Sequence, residues 1–338
     1  MPRPIDVPVR ARERLSATVE ALTRPERYPE AVGGVDSIET HMAWVFLTET
    51  HAFKLKKPVR TRLVDYTTVE ARRRACLTEV RLNRRLAGPV YRGVVPVVAG
   101  DSGIEVGGDG PVVDWLVKMQ RLPQRRMLDA CIKSGTVQDA WIRQLGRKLA
   151  AFYDRAQPVD WTPSQYRGRL RENILAKGAS LERPHYGLDR SATRRATASQ
   201  LDWISRHVDL LGARAQHVVD AHGDLRPEHV CLTDPPQVID CLEFNRSLRL
   251  HDPLSDLSFL SLECRRLGAN WVGERLIARY REYTGDDAPP ALIPFYESYH
   301  ALIRAAIMIW HLDDETVEQS DFWRRQADDY LHFARVPH

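Results

Sequence analysis

The stretch HGDLRPEHVCLTDPPQVIDCLEFN, residues 222–245, concentrates ionisable side chains around a Pro-Pro turn. The apolar patches HVCL and QVI flank the turn TDPP, so residues 229–232 and 237–239 are predicted to form a short hairpin. Such a hairpin would bring Asp224, His229 and Asp240 to one rim. One carboxylate there can bind a divalent cation while another accepts a proton. The alternative is that these are surface carboxylates of an exposed turn.

The composition limits the classes of protein to which this stretch can belong. With 338 residues, 43% of them hydrophobic and 28% charged, the chain is long enough for one large domain or two lobes with a core. No apolar run approaches the roughly 20 residues that span a bilayer, and the N-terminus lacks the apolar core of a signal peptide, so we expect a cytoplasmic protein without membrane contact. The five cysteines form no C-x-x-C pair, which argues against a zinc site. A formal net charge of +4 is too small to indicate nucleic-acid binding.

The patterns of strands and helices change near residue 120. Two short strands are predicted at 43–47 and 52–57, and further strands in VYRGVVPVV and GPVVDWLVKMQ. Helices are predicted at 11–22 and 67–87, and residues after Met127 are mainly helical. We therefore predict the α+β class, with a small antiparallel-sheet lobe (1–120) and a larger, mainly helical lobe (121–338).

The basic residues show a bias in type. Only seven of the 49 are Lys, and Lys54, Lys56 and Lys57 lie together in FKLKKP. A compact ammonium group suits a phosphate, so this cluster indicates a phosphate contact. Chance clustering at the end of a solvated strand is the alternative.

HGDLRPEH resembles the catalytic-loop pattern H-R-D-L-K-P-E-N of protein kinases, and more closely the H-G-D-L-H-x-x-N form of aminoglycoside phosphotransferases and related small-molecule kinases. HAFK (51–54) is similar to the V-A-I-K of the phosphate-binding strand, and VVDWLVKMQRLP to the strand and hinge that contact adenine. ETHMAWVFL, HAFKLKKPV and EVRLNRRL resemble an uncharacterised bacterial branch of the aminoglycoside phosphotransferase family, often fused to a P-loop ATPase domain. G-x-x-x-x-G-K-[ST] does not occur here, so we expect the kinase-like half alone. The resemblance implies a bilobal, protein-kinase-like fold.

The resemblance also implies an activity: ATP-dependent transfer of the γ-phosphoryl group to a hydroxyl of a small molecule, such as an amino sugar or a sugar. Asp224 would take the proton of that hydroxyl, and Arg226 would help to neutralise the transferring group. Asp240 would hold Mg²⁺ against the nucleotide phosphates. Lys54, paired with Glu79, would contact the α and β phosphates.

Several assignments within this resemblance stay open. Lys56 shares a strand face with Lys54, and only the small Ala52, two residues before Lys54, favours Lys54 as the phosphate contact. Glu243 is either a second metal ligand or a capping group. His229 replaces the Asn of the family and, as a ligand, suits Mn²⁺ better than Mg²⁺. The other implied residues are Met119 and Arg121 at the nucleotide, and His222, Asp252 and Asp256 as supports of the loop, with helix capping as the alternative for Asp252.

The chain departs from the family pattern in features that concern phosphate binding and the class of acceptor. DSIETHMAW holds no glycine, so phosphate clamping there would rely on other donors. An A-P-E segment is absent and Asp252 follows Asp240 by only twelve positions, which favours a small-molecule acceptor over a protein. A pocket for a cationic amino sugar is one interpretation of the C-terminal acidic residues, and a solvated face is the alternative; these residues are Glu297, Asp313, Asp314 and Glu315.

Two other functions compete with a phosphotransferase. The same fold would also suit a nucleotide-binding pseudokinase with a regulatory role, because of His229 and the missing glycines. A metal-dependent hydrolase could use His222, Asp224, His229 and Asp240 as ligands, although Lys54 and Glu79 argue against it. The choice between ATP and GTP, the number of metal ions and the oligomeric state do not follow from the sequence.

Overall fold

The computed structural model describes residues 9–30, 32–61, 63–101, 103–313 and 319–336. These residues form two compact units, and each is treated by itself. The sheet unit comprises the described residues of 9–127 with Gln237–Asn245, and the helical unit comprises Leu128–Pro236 with the described residues of 246–336. The predicted lobe boundary at residue 120 stays a prediction. Within the described ranges, no helix combines the length and the apolarity needed to cross a bilayer.

The sheet unit contains one antiparallel sheet with the strand order β1-β2-β3-β6-β4-β5. Its elements are α1 (Val9–Leu22), β1 (Asp36–Glu39), β2 (Ala43–Leu47), β3 (His51–Lys56), α2 (Val69–Ala87), β4 (Tyr91–Gly100), β5 (Gly103–Val106) and β6 (Val112–Gln120). Short 3₁₀ turns at Pro25–Arg27 and Gln124–Arg126 and the two-residue strand Gln237–Val238 complete it.

The sequence patterns located the central strands and missed the edges. The strands predicted at 43–47 and 52–57 are β2 and β3, and the helix predicted at 67–87 is α2. The prediction omits β1 and β5, which lie at the two edges of the sheet. All four side chains of β1 are exposed, so its sequence shows no alternation of apolar and polar residues.

The two faces of β3 have different partners. Phe53 and Leu55 belong to an apolar cluster that also packs against residues of α1. Ala52 belongs to a second cluster, with residues of α2. Because side chains alternate along a strand, Lys54 and Lys56 point to the same side as Ala52. Both lysines therefore face α2.

A buried ion pair joins α2 to the sheet. Arg72 Nε lies 2.9 Å from Asp114 Oδ1 and Arg72 Nη2 lies 2.8 Å from Asp114 Oδ2, a two-point contact. Burial raises the pKa of Asp114 in spite of this contact. Thr68 caps the helix, since its hydroxyl accepts a hydrogen bond from the Ala71 amide. The start of α2 is thereby fixed over β6.

The helical unit consists of nine described helices and short connecting pieces. The helices are α3 (Leu128–Lys133), α4 (Asp139–Arg155), α5 (Pro163–Leu181), α6 (Arg190–Arg206), α7 (Val208–Arg214), α8 (Pro253–Arg266), α9 (Asn270–Thr284), α10 (Leu292–Ile309) and α11 (Ser320–Phe333). Val219–Asp220 pairs antiparallel with Leu250–His251, and Val230–Cys231 is a further two-residue strand. The 3₁₀ turns are Pro184–Tyr186, Ala215–His217, Pro227–His229, Arg246–Arg249 and Trp310–Asp313.

Helix α8 is the core of the helical unit. Every residue from 253 to 264 is buried, including Asp256 and Glu263. A helix without a solvent face must satisfy its polar side chains internally. The carboxylate of Asp256 is therefore available to bind backbone groups in the unit's interior.

Loss of Arg72 should destabilise the sheet unit. We expect Arg72→Leu to lower the free energy of unfolding by about 3–5 kcal/mol, because Asp114 would be left as a buried carboxylate without its cation. The double variant Arg72→Leu/Asp114→Leu should recover part of this loss. Urea unfolding measures both values. Equal losses in the single and double variants would contradict the account.

Candidate active site

Two lysines and three carboxylates meet in the sheet unit, and we call them the lysine–carboxylate cluster: Lys54, Lys56, Glu79, Asp240 and Glu243. Lys54 Nζ lies 2.6 Å from Asp240 Oδ1 and 3.0 Å from Glu79 Oε1. Lys56 Nζ lies 2.6 Å from Glu79 Oε2 and also binds Glu243 Oε1. Glu79 therefore receives one ammonium group on each oxygen.

Burial increases from Asp240 to Glu79 across this cluster. The exposed fraction of the side chain is 40% for Asp240, 15% for Lys54, 2% for Lys56 and 0% for Glu79. Burial alone would raise the pKa of Glu79, but Lys54 and Lys56 outweigh it and the pKa lies below its ordinary value. Burial likewise opposes the charge of Lys54, yet Asp240 and Glu79 hold the pKa of its ammonium well above the usual range. Glu79 and Lys54 thus stabilise each other's charge inside the cluster.

The two lysines occupy different positions in the cluster. Lys56 is enclosed between Glu79 and Glu243, and Tyr66 Oη lies 3.5 Å from the same Glu243 oxygen. Lys54 instead binds Asp240, the most exposed of the three carboxylates. Lys54 is therefore the lysine that a ligand at Asp240 would meet.

Asp240 suits a magnesium ion by its chemistry. Mg²⁺ prefers carboxylate oxygen and usually binds through one or two carboxylates with phosphates and waters. The Asp240 carboxylate is partly exposed and already binds one cation, the Lys54 ammonium. Glu243 fits less well, because its side chain is only 11% exposed and its lysine partner, Lys56, is buried. Its role as a second metal ligand stays a prediction.

The loop at 222–229 is held by Asp256 in the helical unit. The amides of His222 and Gly223 donate to Asp256 Oδ2 and Oδ1 at 3.0 and 3.1 Å, and Tyr153 Oη donates to Oδ2 at 3.0 Å. Gly223 has a φ of +83°, and a Cβ there would lie 2.9 Å from the Leu248 carbonyl oxygen. Only glycine fits this turn without strain.

Asp252 and His222 have separate positions around the loop. Asp252 caps α8, because its carboxylate accepts a hydrogen bond from the Leu254 amide; helix capping was the alternative role considered for it. Both of its oxygens also bind Arg214 at 2.7 Å. His222 is buried, and its Nδ1 accepts from the Asp224 amide at 3.3 Å. Its supporting role remains a prediction.

Asp224 lies in a small polar network on this loop. Arg226 Nε lies 3.0 Å from Asp224 Oδ1, and Arg226 Nη1 lies 3.1 Å from Glu228 Oε1. Burial alone would lower the pKa of Arg226, but Asp224 and Glu228 raise it above the ordinary value. The Asp224 side chain is 26% exposed, so a hydroxyl can approach it.

His229 belongs to the same network through both ring nitrogens. Arg226 Nη2 lies 3.1 Å from His229 Nε2, and His229 Nδ1 lies 2.8 Å from the Asp224 carbonyl oxygen. Arginine can only donate, so Nε2 accepts, and Nδ1 carries the proton that it donates to Asp224. This arrangement does not favour His229 as a metal ligand, because Arg226 uses the Nε2 lone pair. The ligand role stays a prediction.

The family resemblance implies that Met119 and Arg121 contact the nucleotide. Met119 lies at the end of β6, and Arg121 follows that strand directly. Met119 is buried and pairs in register with Ala52 of β3. Arg121 Nη1 donates to the Thr48 carbonyl oxygen at 2.7 Å, which ties it to the turn between β2 and β3. Contact of either residue with a nucleotide remains a prediction.

The acidic residues suggested for an amino-sugar pocket have protein partners where they are described. Glu297 is buried, accepts from Ser261 at 2.7 Å and lies 3.1 Å from Arg265, and burial raises its pKa. Asp313 accepts from Tyr186 Oη at 2.9 Å. Asp314 and Glu315 lie outside the described residues. A role for these acidic residues in acceptor binding stays a prediction.

Sequence reasoning missed Asn83 and Tyr91. Asn83 is fully buried on α2, one turn after Glu79, and its Oδ1 accepts from the Cys241 amide at 2.8 Å. Tyr91 Oη accepts from the Asp240 amide at 3.2 Å. The available signal was limited to a polar residue on the buried side of α2, four positions after Glu79, and this signal does not identify its partner.

Comparison with known proteins identifies the family and agrees with the fold. Curated proteins of Mycobacterium tuberculosis and Mycobacterium bovis, both described as uncharacterized, are each 32% identical over 281 residues, which is 81% of this chain and 54% of each relative. The chain therefore spans about half the length of the curated relatives it matches.

Three solved structures are similar in fold. A GDP complex of mutant aminoglycoside 2'-phosphotransferase-IIIa has a TM-score of 0.56 at 14% identity, covering 94% of this chain and 96% of that chain. A choline/ethanolamine kinase family protein from Mesorhizobium loti has 0.53 at 17%, covering 95% and 100%. Glucosamine kinase with glucosamine, ADP and inorganic phosphate has 0.51 at 15%, covering 96% and 86%. These likenesses confirm the predicted α+β, kinase-like fold class.

The family assignment depends on a family model, which covers the catalytic-loop motif. The model of the phosphotransferase enzyme family (APH) matches residues 61–295, more than half of the chain. The chain belongs to the phosphotransferase enzyme family, as the resemblance of its catalytic loop predicts.

Proposed function

We propose that the chain is an ATP-dependent O-phosphotransferase that transfers the γ-phosphoryl group to a hydroxyl of a small molecule. The observation that carries the proposal is the position of Lys54, whose ammonium lies between the buried Glu79 and the partly exposed Asp240. A cation held by one buried carboxylate is fixed in place, and the exposed carboxylate beside it suits a metal ion. Membership of the phosphotransferase family supports the reaction class.

The proposed reaction assigns the proton to Asp224. Its carboxylate accepts the hydrogen of the acceptor hydroxyl, whose oxygen forms the new bond to the γ-phosphorus. The bond from that phosphorus to the β–γ bridging oxygen breaks, and ADP leaves with the electron pair. Arg226, 3.0 Å from Asp224, orients the carboxylate and helps to neutralise the transferring group.

Lys54 and Asp240 are proposed to hold the nucleotide. The Lys54 ammonium would exchange its bond to Asp240 for the α and β phosphates while Glu79 keeps it in place. Asp240 would then be the carboxylate that receives a divalent cation. Bound Mg²⁺, or Mn²⁺, would neutralise phosphate charge.

The acceptor is proposed as a small molecule, an amino sugar, a sugar or a similar polyol. The short segment from Asp240 to Asp252 supports this class over a protein acceptor. The similar glucosamine kinase structure contains glucosamine, which makes amino sugars a first choice for a screen. A panel of sugars, amino sugars, choline and nucleosides with ATP and with GTP, read out by coupled nucleoside diphosphate production, tests the proposal. A turnover above hydrolysis for one class supports it.

A pseudokinase is the second candidate, because His229 replaces the Asn of the family and is bound to Arg226 and the Asp224 carbonyl. ATP binding, measured as a rise in Tm, without transfer to any acceptor or to water would favour this alternative. A metal-dependent hydrolase would be favoured if ATP failed to raise the Tm while a divalent metal alone supported hydrolysis.

Asp224→Asn tests the base. We expect it to lower kcat at least about 100-fold and to change the ATP dissociation constant little, because the base is lost while the proposed phosphate contacts remain. Steady-state kinetics and calorimetric ATP titration supply the two numbers. Retention of more than about a tenth of the activity would remove Asp224 from this role.

Lys54→Met and Lys56→Met form a matched pair for the phosphate contact. Lys54→Met should raise the ATP KM or lower kcat at least about tenfold more than Lys56→Met does, because Lys54 is the lysine at Asp240. Lys56→Met should lower the Tm more, since it removes the cation of Glu243, whose side chain is only 11% exposed, and one of the two cations of the buried Glu79. The reverse order in kinetics would give the phosphate contact to Lys56.

His229→Asn separates loop support from metal binding. With both ring nitrogens bound within the loop, we expect the variant to keep the wild-type ratio of Mn²⁺-supported to Mg²⁺-supported rates. As a control, Asp240→Asn should weaken activation by both metals. A clear fall of the Mn²⁺ to Mg²⁺ ratio in His229→Asn would show that the imidazole is a metal ligand after all.

A further inference from the structure

The backbone of Asp240 has an unusual conformation. Its φ is +60°, and it is the one non-glycine residue with a positive φ in the described ranges. L-residues avoid this left-handed region because the Cβ crowds the following carbonyl. A conformation of this kind persists where surrounding groups hold it. We therefore expect side chains near Asp240 that bind its backbone and stabilise this conformation.

Two buried side chains bind the backbone at this point. The Asp240 amide donates to Tyr91 Oη at 3.2 Å, and the Cys241 amide donates to Asn83 Oδ1 at 2.8 Å. Tyr91 is 2% exposed and Asn83 is not exposed at all. Successive amides on either side of the Asp240 Cα are thus both anchored, which limits rotation about its backbone.

Asn83 also connects this backbone to Glu79. Asn83 Nδ2 donates to the Glu79 carbonyl oxygen at 3.0 Å, one turn back along α2. The orientation of the amide is fixed, since Cys241 N–H needs an acceptor and a carbonyl oxygen needs a donor. One side chain therefore joins the helix that carries Glu79 to the segment that carries Asp240.

We propose that Asn83 and Tyr91 are positioning residues for Asp240. By holding the left-handed backbone, they direct the Asp240 carboxylate to Lys54 and, if the proposed function holds, to the divalent cation of the nucleotide. Partners that orient a metal ligand affect metal affinity although they do not contact the metal. Asn83 acts on Asp240 through the backbone and not through its carboxylate.

Tyr91→Phe and Asn83→Leu test the proposal, with Leu86→Ala as the control. Tyr91→Phe removes one oxygen, and Asn83→Leu removes both amide contacts at similar volume. Leu86 is buried on the same helix, but its apolar side chain cannot hold an amide, so its loss reports general damage to α2. Tyr91→Phe keeps the test usable where Asn83→Leu does not fold.

The first measurement needs no substrate. Hydrogen exchange of the Asp240 and Cys241 amides in the protein without nucleotide should accelerate at least about tenfold in Asn83→Leu and Tyr91→Phe, and not in Leu86→Ala. Unchanged exchange in both variants would overturn the positioning role. This result is independent of the proposed function, which fails separately if the wild type binds no nucleotide.

The second measurement is the Mg²⁺ dependence of ATP binding by calorimetry. Both variants should raise the Mg²⁺ concentration for half-maximal binding about tenfold or more, while binding of ATP without Mg²⁺ changes little. In the Asp240→Asn background, Asn83→Leu should add almost nothing, because its effect passes through the lost carboxylate. Additive effects, or an equal shift in Leu86→Ala, would show that Asn83 supports the packing of α2 and does not position Asp240.

Discussion

The charge of the buried Glu79 carboxylate is the constraint on which the sheet unit depends. An isolated carboxylate without exposure would be too costly, so each of its oxygens binds one lysine of β3. Those two lysines in turn bind Asp240 and Glu243, which brings the segment 237–245 onto the sheet. One buried charge thereby specifies the strand face, the helix position and the location of the exposed carboxylate that the proposed chemistry uses.

The helical unit also contains a buried carboxylate that holds a neighbouring segment in place. Asp256 lies on a helix with no solvent face, and it binds two successive amides of the loop at His222 and Gly223. The loop is therefore anchored next to Asp224, while the Asp224 side chain stays partly exposed. In both units a buried carboxylate positions a partly exposed one, and the exposed member is the residue proposed to act on the substrate or the metal.

Local sequence pattern was sufficient for part of this structure. Asp224, Asp240 and Lys54 could be singled out as candidates because they lie in short motifs. The elements β3 and α2 could be predicted because their apolar residues show strong periodicity. Asn83 and Tyr91 could not, because their bonds run to backbone amides 158 and 149 positions away and no local pattern encodes such a contact. The edge strand β1 was missed because its exposed residues show no alternation of apolar and polar side chains. Pairing of Lys56 with Glu79 was hidden because both lysines share one strand face.

A crystal structure with Mg²⁺ and a non-hydrolysable ATP analogue would test directly whether Asp240 binds the metal ion and Lys54 the phosphates. An Asp240 carboxylate oxygen should lie at about 2.0–2.1 Å from Mg²⁺, and the Lys54 ammonium should contact a phosphate oxygen while it stays paired with Glu79. Lys56 should keep both of its carboxylates. A metal held by other residues, with Lys54 still bonded to Asp240 and away from every phosphate, would contradict the account.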